Sequence, residues 1–355
     1  MWPVVVRYPD GPLEQVVEAD AVDAARKAHR LMVRGPLFGV AAQDVGAPHL
    51  WRVVGPVTSA TPQDARDALN SLLWFRAKDE AQDRAERRGL LAAVARLETE
   101  RVDELTVLGT RYRVVRAEEY AGAGADGIET PRPTDPEPLA PDWAMSARGP
   151  DVDDGLVLDP AAPVTPTQAA ERLAMRSLAY SGTRFPRDVL RDSARAVEDY
   201  PEVVLLPPAY RVLKNRDGRW SLTGALHSTA HGARQSLEFG LTWFEPRQQG
   251  LIDLDADRET DARTLLAAGA HPAADHLAAA VRAADRLRAE NADEVEVHGV
   301  VHRICRMRRL VRWGPDGPER PRPSDTDMHP PEQIHPRLDE DGAVHHEADH
   351  DGDPH

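Results

Sequence analysis

The chain of 355 residues holds a single cysteine, Cys305, so it can form no internal disulfide and no multi-thiolate zinc site. That absence makes a reducing, cytoplasmic compartment the expectation. Long apolar runs are missing as well: the longest reach about six residues, against the roughly 18 that a membrane-spanning helix needs. The start, Met1-Trp2-Pro3-Val4-Val5-Val6-Arg7, has no basic segment ahead of an apolar core. Neither secretion nor membrane insertion is expected. Lysine is scarce, with only Lys27, Lys78 and Lys214 against 41 arginines, a bias that fits a GC-rich coding sequence better than a chemical demand. No G-x-S-x-G, no G-x-x-x-x-G-K-[ST] and no D-x-[DN]-x-[DN]-G occurs, which removes the usual signs of a serine hydrolase, a P-loop and a calcium loop.

What is present is acidic and soluble in character. The charge balance of 44 basic against 59 acidic residues gives −15, and residues 326–355 alone hold nine acids against one arginine. The rest of the chain carries only −7, with no excess positive field for phosphates, so nucleic-acid binding is disfavoured. Hydrophobic residues are 41%, charged residues 29% and the mean hydropathy is −0.51, values of a soluble globular protein of about two domains.

The strongest pattern is internal. Residues 103–135 match residues 293–325 without a gap, 190 positions apart, with 14 of 33 identical. The pairs include Arg113/Arg303, Arg116/Arg306, Asp126/Asp316, Glu129/Glu319 and the closing Pro-Arg-Pro-[Thr/Ser]-Asp at 131–135 and 321–325. Two copies are too few for a solenoid, and the expectation is a tandem duplication of one α+β module. In the first copy Val4–Tyr8 alternates as a strand, Val22–Val33 has helical spacing, and Leu37–Gln43 and Leu50–Val54 read as strands. Thr61-Pro62 opens a long helical stretch to about Arg101, broken near Gly89, before strands at Asp103–Val107 and Thr110–Arg116. This order, β-α-β-β-α-β, predicts a ferredoxin-like unit with antiparallel sheets. If sequential strands pair, the two units can pack as a pseudo-dimer with sheets face to face.

The expected organisation is a first module over 1–120, a Pro-rich linker over 121–165 and a second module over 166–325 preceded by helices at Pro166–Tyr180 and Pro186–Tyr200. Strands are expected at Val203–Leu206, Tyr210–Lys214, Trp220–Leu226, Leu237–Phe244 and Leu251–Leu254, and helices at Thr229–Gln235, Arg258–Ala268 and Ala273–Ala289. A β region over Glu294–Val311 closes the module, and a disordered, acidic, His-rich tail over 326–355 follows.

Several residue sets carry candidate chemistry. Gly122-Ala123-Gly124-Ala125-Asp126-Gly127 fits G-x-G-x-x-G, but Pro131 and Pro133 follow where a helix N-terminus is required, so it reads as a turn and no cofactor is expected. His227 and His231 have the spacing of a metal pair on one helical face, and His271 with His276 form a second such cluster, though neither has a third ligand. His298 and His302 share a strand face, with Cys305 on the opposite one, which works against a Cys–His dyad. Six histidines of the tail, His329, His335, His345, His346, His350 and His355, interleave with acids in a pattern open to weak chelation, but a flexible chain must be ordered to chelate, so a solvated acidic tail or a partner-binding segment is the expectation. The one basic run, Arg303, Arg306, Arg308, Arg309 and Arg312, has glutamates at two matching positions of the first copy, Glu118 and Glu119. That reversal predicts complementary charges between the copies. Arg113, Arg116, Arg303, Arg306, Arg308 and Arg309 are therefore the candidate ligand or interdomain residues.

Val4-Val5-Val6-Arg7-Tyr8-Pro9-Asp10-Gly11-Pro12, Gly35-Pro36-Leu37-Phe38-Gly39-Val40-Ala41 and Pro321-Arg322-Pro323-Ser324-Asp325 resemble an uncharacterised actinobacterial family of unknown function, over most of the chain to about residue 325. Some members of that family are labelled PE-PGRS, a name that implies dense glycine repeats, whereas this chain has 24 glycines and no such repeats. The resemblance implies no catalytic residues. The expected function is non-catalytic binding of a protein partner or small ligand, the alternative a small-molecule tailoring enzyme with its site in the cleft of a paired ferredoxin-like barrel.

Overall fold

The computed structural model describes residues 2–44, 46–47, 50–144, 149–269 and 272–345. In chain order the first half contains α1 (Pro12–Lys27), β1 (Arg30–Asp44), β2 (Trp51–Ser59), α2 (Pro62–Phe75), α3 (Arg84–Leu97), β3 (Glu104–Val107), β4 (Thr110–Gly124), β5 (Gly127–Ile128) and β6 (Val157–Leu158). Next come α4 (Pro166–Met175), α5 (Arg187–Asp199), β7 (Glu202–Arg216), β8 (Arg219–His227), α6 (Ala230–Phe239), α7 (Glu245–Gln248), α8 (Ala262–Ala268) and α9 (Ala274–Glu290). The chain closes with β9 (Glu294–Val297), β10 (Val300–Gly314), β11 (Gly317–Pro318) and a small hairpin of β12 (Arg337–Leu338) and β13 (Val344–His345).

Local chemistry sets the boundaries. Thr61 caps α2 through a capping box with Asp64, with Pro62 in the first turn, and Thr165 does the same for α4 with Gln168. The long helical stretch breaks not at Gly89, which stays inside α3, but after a π-helical turn at Arg76–Glu80, because Asp83 accepts from the Glu86 amide and starts a new helix. Leu108-Gly109, Asp217-Gly218 and His298-Gly299 all have positive φ at both positions, the requirement of a two-residue hairpin whose twist matches its strands.

The sheet is mixed with helices and antiparallel throughout, in the order β6-β2-β1-β4-β10-β7-β8. Strand β1 pairs β4 along its length, β7 pairs β10 likewise, and the halves join where Arg308–Val311 meets Ala117–Tyr120. Helices α2 and α3 cover one face of the first half through Leu69, Leu73, Leu90 and Val94; α6 and α9 cover the second through Ala233, Leu237, Ala283 and Leu287. The opposite faces share one core, in which Trp51, Leu37 and Val115 meet Leu213, Leu226, Cys305 and Met307. Residues of β2 and β8, near opposite ends of the strand order, sit in that single cluster, so the sheet folds over at the β4–β10 seam. Gly317 marks the closeness of the approach: a Cβ there would lie 2.7 Å from Trp51 Nε1.

The element order departs from the expected β-α-β-β-α-β. Val4–Tyr8 is no strand; it makes an isolated bridge from Val6 to Val164 and is mostly exposed. Each half instead runs two long strands, helices, then a short and a long strand. Leu237–Phe244 is helical rather than extended because Leu237 and Leu241, one turn apart, both bury in the second-half core, and Leu251–Leu254 forms no strand. Val203–Leu206 and Tyr210–Lys214 merge into β7 across the Pro207-Pro208 irregularity.

The presumed linker and tail are also built in. Val152 and Leu158 enter the shared core and β6 pairs β2. Residues 326–345 lie along the first half and are not a free tail: Leu338 joins the core beneath α2 and α3, Trp74 donates to Pro336 O at 3.1 Å, and His335 stacks on Trp74 at 4.7 Å. Low apolar content misled here because a few anchors and ion pairs hold the strand-like segment. The remainder, 346–355, lies outside the described residues, as does His271.

Candidate functional site

The repeated arginines tie the halves together reciprocally. Arg113, on β4, donates to the carbonyls of Asp316 and Pro318 at 2.9 Å each and to Asp316 Oδ2 at 2.6 Å. Arg303, on β10, returns the grip, donating to Asp126 O at 2.7 Å and Ile128 O at 3.5 Å. Each also pairs with the glutamate of the preceding short strand, Glu104 or Glu294, and lies over a tryptophan, Trp51 or Trp220. Arg116 Nε donates to Asp325 and Arg306 Nε to Asp135, both at 3.0 Å, so each Pro-Arg-Pro-x-Asp segment is held by the other half. Past these motifs, Glu137 accepts from the His231 amide at the start of α6, and Asp327 from the Gln63 amide at the start of α2. Helix N-termini favour such carboxylates.

At the seam, Arg309 stands opposite Glu119 in register, yet the expected charge pairs between 118/119 and 308/309 do not form. Backbone pairing leaves those side chains free to find better-oriented partners. On the inner face Arg309 makes a two-armed pair with Asp153 at 2.6 and 2.8 Å, both side chains fully buried. Glu119 accepts from Arg34 at 2.6 Å, and Arg211 Nε lies 3.4 Å from its other oxygen. On the outer face Glu118 is closed in by Arg116, Tyr180 and Arg322, while Arg308 donates to Glu129 at 2.5 Å and Glu171 at 3.2 Å.

That Arg308 side opens on a cavity of about 400 Å³ between α1, α4 and the seam, where Tyr120, Arg132, Glu171, Arg306, Arg308 and Arg309 line it together with apolar side chains of α1, α4 and β7. A second cavity of about 420 Å³ on the other flank of α1 is lined by Lys27, Arg132, Glu294 and Arg303. Helix α1 separates them and buries none of its residues. Its ties are polar: Glu18 accepts from Thr167 N and Oγ1 at 2.7 and 2.6 Å, and Asp20 from Thr134 Oγ1 at 2.5 Å. Tyr120 donates to Glu171 at 2.6 Å, and burial, then the Glu171 charge, pushes its phenol well above the ordinary value. Burial and the neighbouring Arg306 loosen the Arg132 proton.

No nucleophile–base pair emerges from the cysteine or histidine candidates. Burial pushes the Cys305 thiol up to about 12, against the pull of Arg303, and brings His302 and His227 down to about 4, with Lys214 adding to the first histidine's shift and Arg211 to the second's. Cys305 and His302 do lie on opposite faces, one in the shared core and one beneath the second-half helices. His298 sits in the turn rather than on the strand and stacks on His276 at 3.7 Å. His227 ends β8 while His231 starts α6, because Thr229 caps the helix between them; the two do not share a helical face. Among the described residues no group of three His, Cys, Asp or Glu could hold a metal ion, and no helix is long and apolar enough to cross a membrane. Sequence reasoning missed Arg34, Asp153, Glu171 and Arg211, which fall outside the repeat and have no motif; Arg132 and Glu129 were visible as repeated positions.

The fold and site define an antiparallel α+β protein whose halves are locked by buried arginine–carboxylate networks beside a cavity in which arginine, tyrosine and glutamate side chains join a largely apolar lining. The chain matches a family of unknown function (DUF5954) over residues 11–328, and it belongs to that family. No curated protein and no solved structure matches it.

Proposed function

We propose that the chain is a non-catalytic, cytoplasmic binding protein, a duplicated α+β scaffold that takes up a small polar ligand in the cavity beneath α1. The observation that carries this reading is the cavity itself: arginines, a tyrosine and a glutamate converge on about 400 Å³, under a helix that buries none of its residues. Duplication is supported by the contacts of Arg113/Arg303 and Arg116/Arg306, which repeat at the same 190-residue spacing on both partners. The tailoring-enzyme alternative needs an open cleft between the half-sheets, and there the space is taken by Trp51, Leu37, Met307 and their neighbours. A protein partner is the other reading, drawn from the exposed Tyr8 ahead of α1 and the exposed Leu13 and Val16 on its first turns.

Native and denaturing mass spectra of the untagged full chain test the proposal. The expected result is an extra non-covalent mass that is lost in Ala21→Trp, which fills the cavity from α1. Bare chain masses in both proteins, with a two-chain species abolished by Leu13→Asp, would overturn it in favour of the partner reading.

A further inference from the structure

Among the described residues, one buried cation lacks the partners that every neighbouring arginine has. Arg211, on β7, is 5% exposed and sits on the inner face of the sheet. Among the described residues its single ionic contact is the 3.4 Å approach of Nε to Glu119 Oε1, which is no hydrogen bond, and neither of those two atoms has any other partner there. Its guanidinium donates no hydrogen bond among the described residues. Glu119 is already engaged by Arg34, and Asp153 is saturated by both arms of Arg309 together with the Val57 amide at 3.2 Å. Three guanidinium groups, Arg34, Arg211 and Arg309, thus face two carboxylates, Glu119 and Asp153, which leaves one positive charge over. The adjacent His227 is held neutral by burial and by Arg211, so it neither adds to the charge nor cancels it.

A buried Nε–H without a hydrogen-bond partner is a costly arrangement, and a fork of N–H donors not engaged by the protein is the geometry that recognises a planar carboxylate or an oxyanion. We propose that Arg211 binds a small, singly charged anion beside Glu119, on the side where Arg34 reaches solvent, at a site that shares only Arg309 with the lining of the cavity beneath α1. Arg34, whose side chain is 30% exposed, marks where the cluster reaches solvent and gives the anion its way in. Bound there, the anion receives the unused Arg211 donors and brings the cluster to neutrality. It also bridges strands of both halves, since Arg34 and Glu119 belong to the first and Arg211 and Arg309 to the second.

Thermal unfolding of the full chain, titrated separately with formate, acetate, chloride and phosphate while a bulky sulfonate buffer holds the ionic strength, tests the site. The expected result is a saturable rise in Tm with at least one of the four in wild type. Formate or acetate acting alone identifies a small organic acid; chloride or phosphate identifies an inorganic anion. Arg211→Met loses the response, and in anion-poor buffer it unfolds at a higher temperature than wild type because the uncompensated charge is gone. Arg211→Lys, which keeps the charge without the fork, needs about tenfold more anion for the same shift. A wild-type Tm indifferent to all four, or an Arg211→Met protein that keeps the response, overturns the proposal. Ala21→Trp leaves the anion response intact, so this site and the α1 cavity fail independently.

Discussion

The two sides of the β4–β10 seam show what a repeat conserves and what it frees. Where the halves carry the same residue, as at Arg113/Arg303 and Arg116/Arg306, they make the same contact on each other's matching turn and exit segment. Where they differ, at Glu118/Arg308 and Tyr120/Leu310, they build different surroundings. Glu118 is fully enclosed by Arg116, Arg322 and Tyr180, whereas Arg308 and Tyr120 face a cavity under a weakly packed helix. Repeated residues hold the assembly, and the diverged ones shape the site.

The sharpest way to break this arrangement is at the seam's inner face. Arg309→Leu leaves Asp153 buried without its partner, and we expect a loss of about 3–5 kcal/mol in urea unfolding. Adding Asp153→Leu to it removes the orphaned charge and recovers most of the loss. Recovery of none would place the contribution in Arg309's bonds to the Val57 and Pro207 carbonyls instead.

A smaller effect separates the reciprocal arginines. The Arg113 side chain is 1% exposed and Arg303 16%, so equal contacts are screened unequally. Arg113→Met is expected to cost about 2–3 kcal/mol and Arg303→Met about 1 kcal/mol. Equal costs would show that burial does not distinguish the two ties.

These ties were partly legible in the chain itself. The repeated Arg, Glu and Pro-Arg-Pro-x-Asp positions marked the interlock, because a contact made twice leaves its residues visible twice. The direction of each grip was not legible, since spacing cannot tell a segment docked on its own half from one docked on the other. Nor could the sequence place Arg211 or Asp153, whose importance comes from which groups stand around them in space. Hydrophobic alternation found the strands near the hairpins and lost Leu237–Phe244, where a run of apolar residues suits a strand or a buried helix equally. The segment 326–345 escaped for a further reason: its anchors, Asp327, His335 and Leu338, are isolated residues in a polar stretch.

Acid should act on the second half before the first. Position 302 is a histidine where the matching position 112 is a tyrosine, and burial, with Lys214 nearby, lowers His302 from 6.5 to about 4. His227, also in the second half, is lowered similarly by burial and Arg211. A base with a depressed folded pKa takes up its proton earlier in the unfolded chain, so stability falls as pH drops from about 6.5 to about 4 and levels below that. Each histidine contributes about 1–3 kcal/mol across that window, and His302→Gln should flatten the pH dependence of the urea midpoint. An unchanged slope would mean that His302 gains its proton without leaving its place.

The smallest effect falls on the strap formed by residues 326–345. His335 stacks on Trp74, accepts or donates at Ser71 Oγ over 2.9 Å, and follows the Asp327 pair with Arg66. His335→Ala removes the ring contact but leaves the Asp327 and Leu338 anchors, so about 0.5–1 kcal/mol is expected. Native-state hydrogen exchange gives the more telling readout. Local release of the strap would speed exchange along 334–345 alone, whereas faster exchange throughout α2 and α3 would show that the strap is part of the first-half core. The second half offers the control, because its counterpart, the run through Glu137 and Trp143 over α6, is untouched by the substitution and should exchange as in wild type.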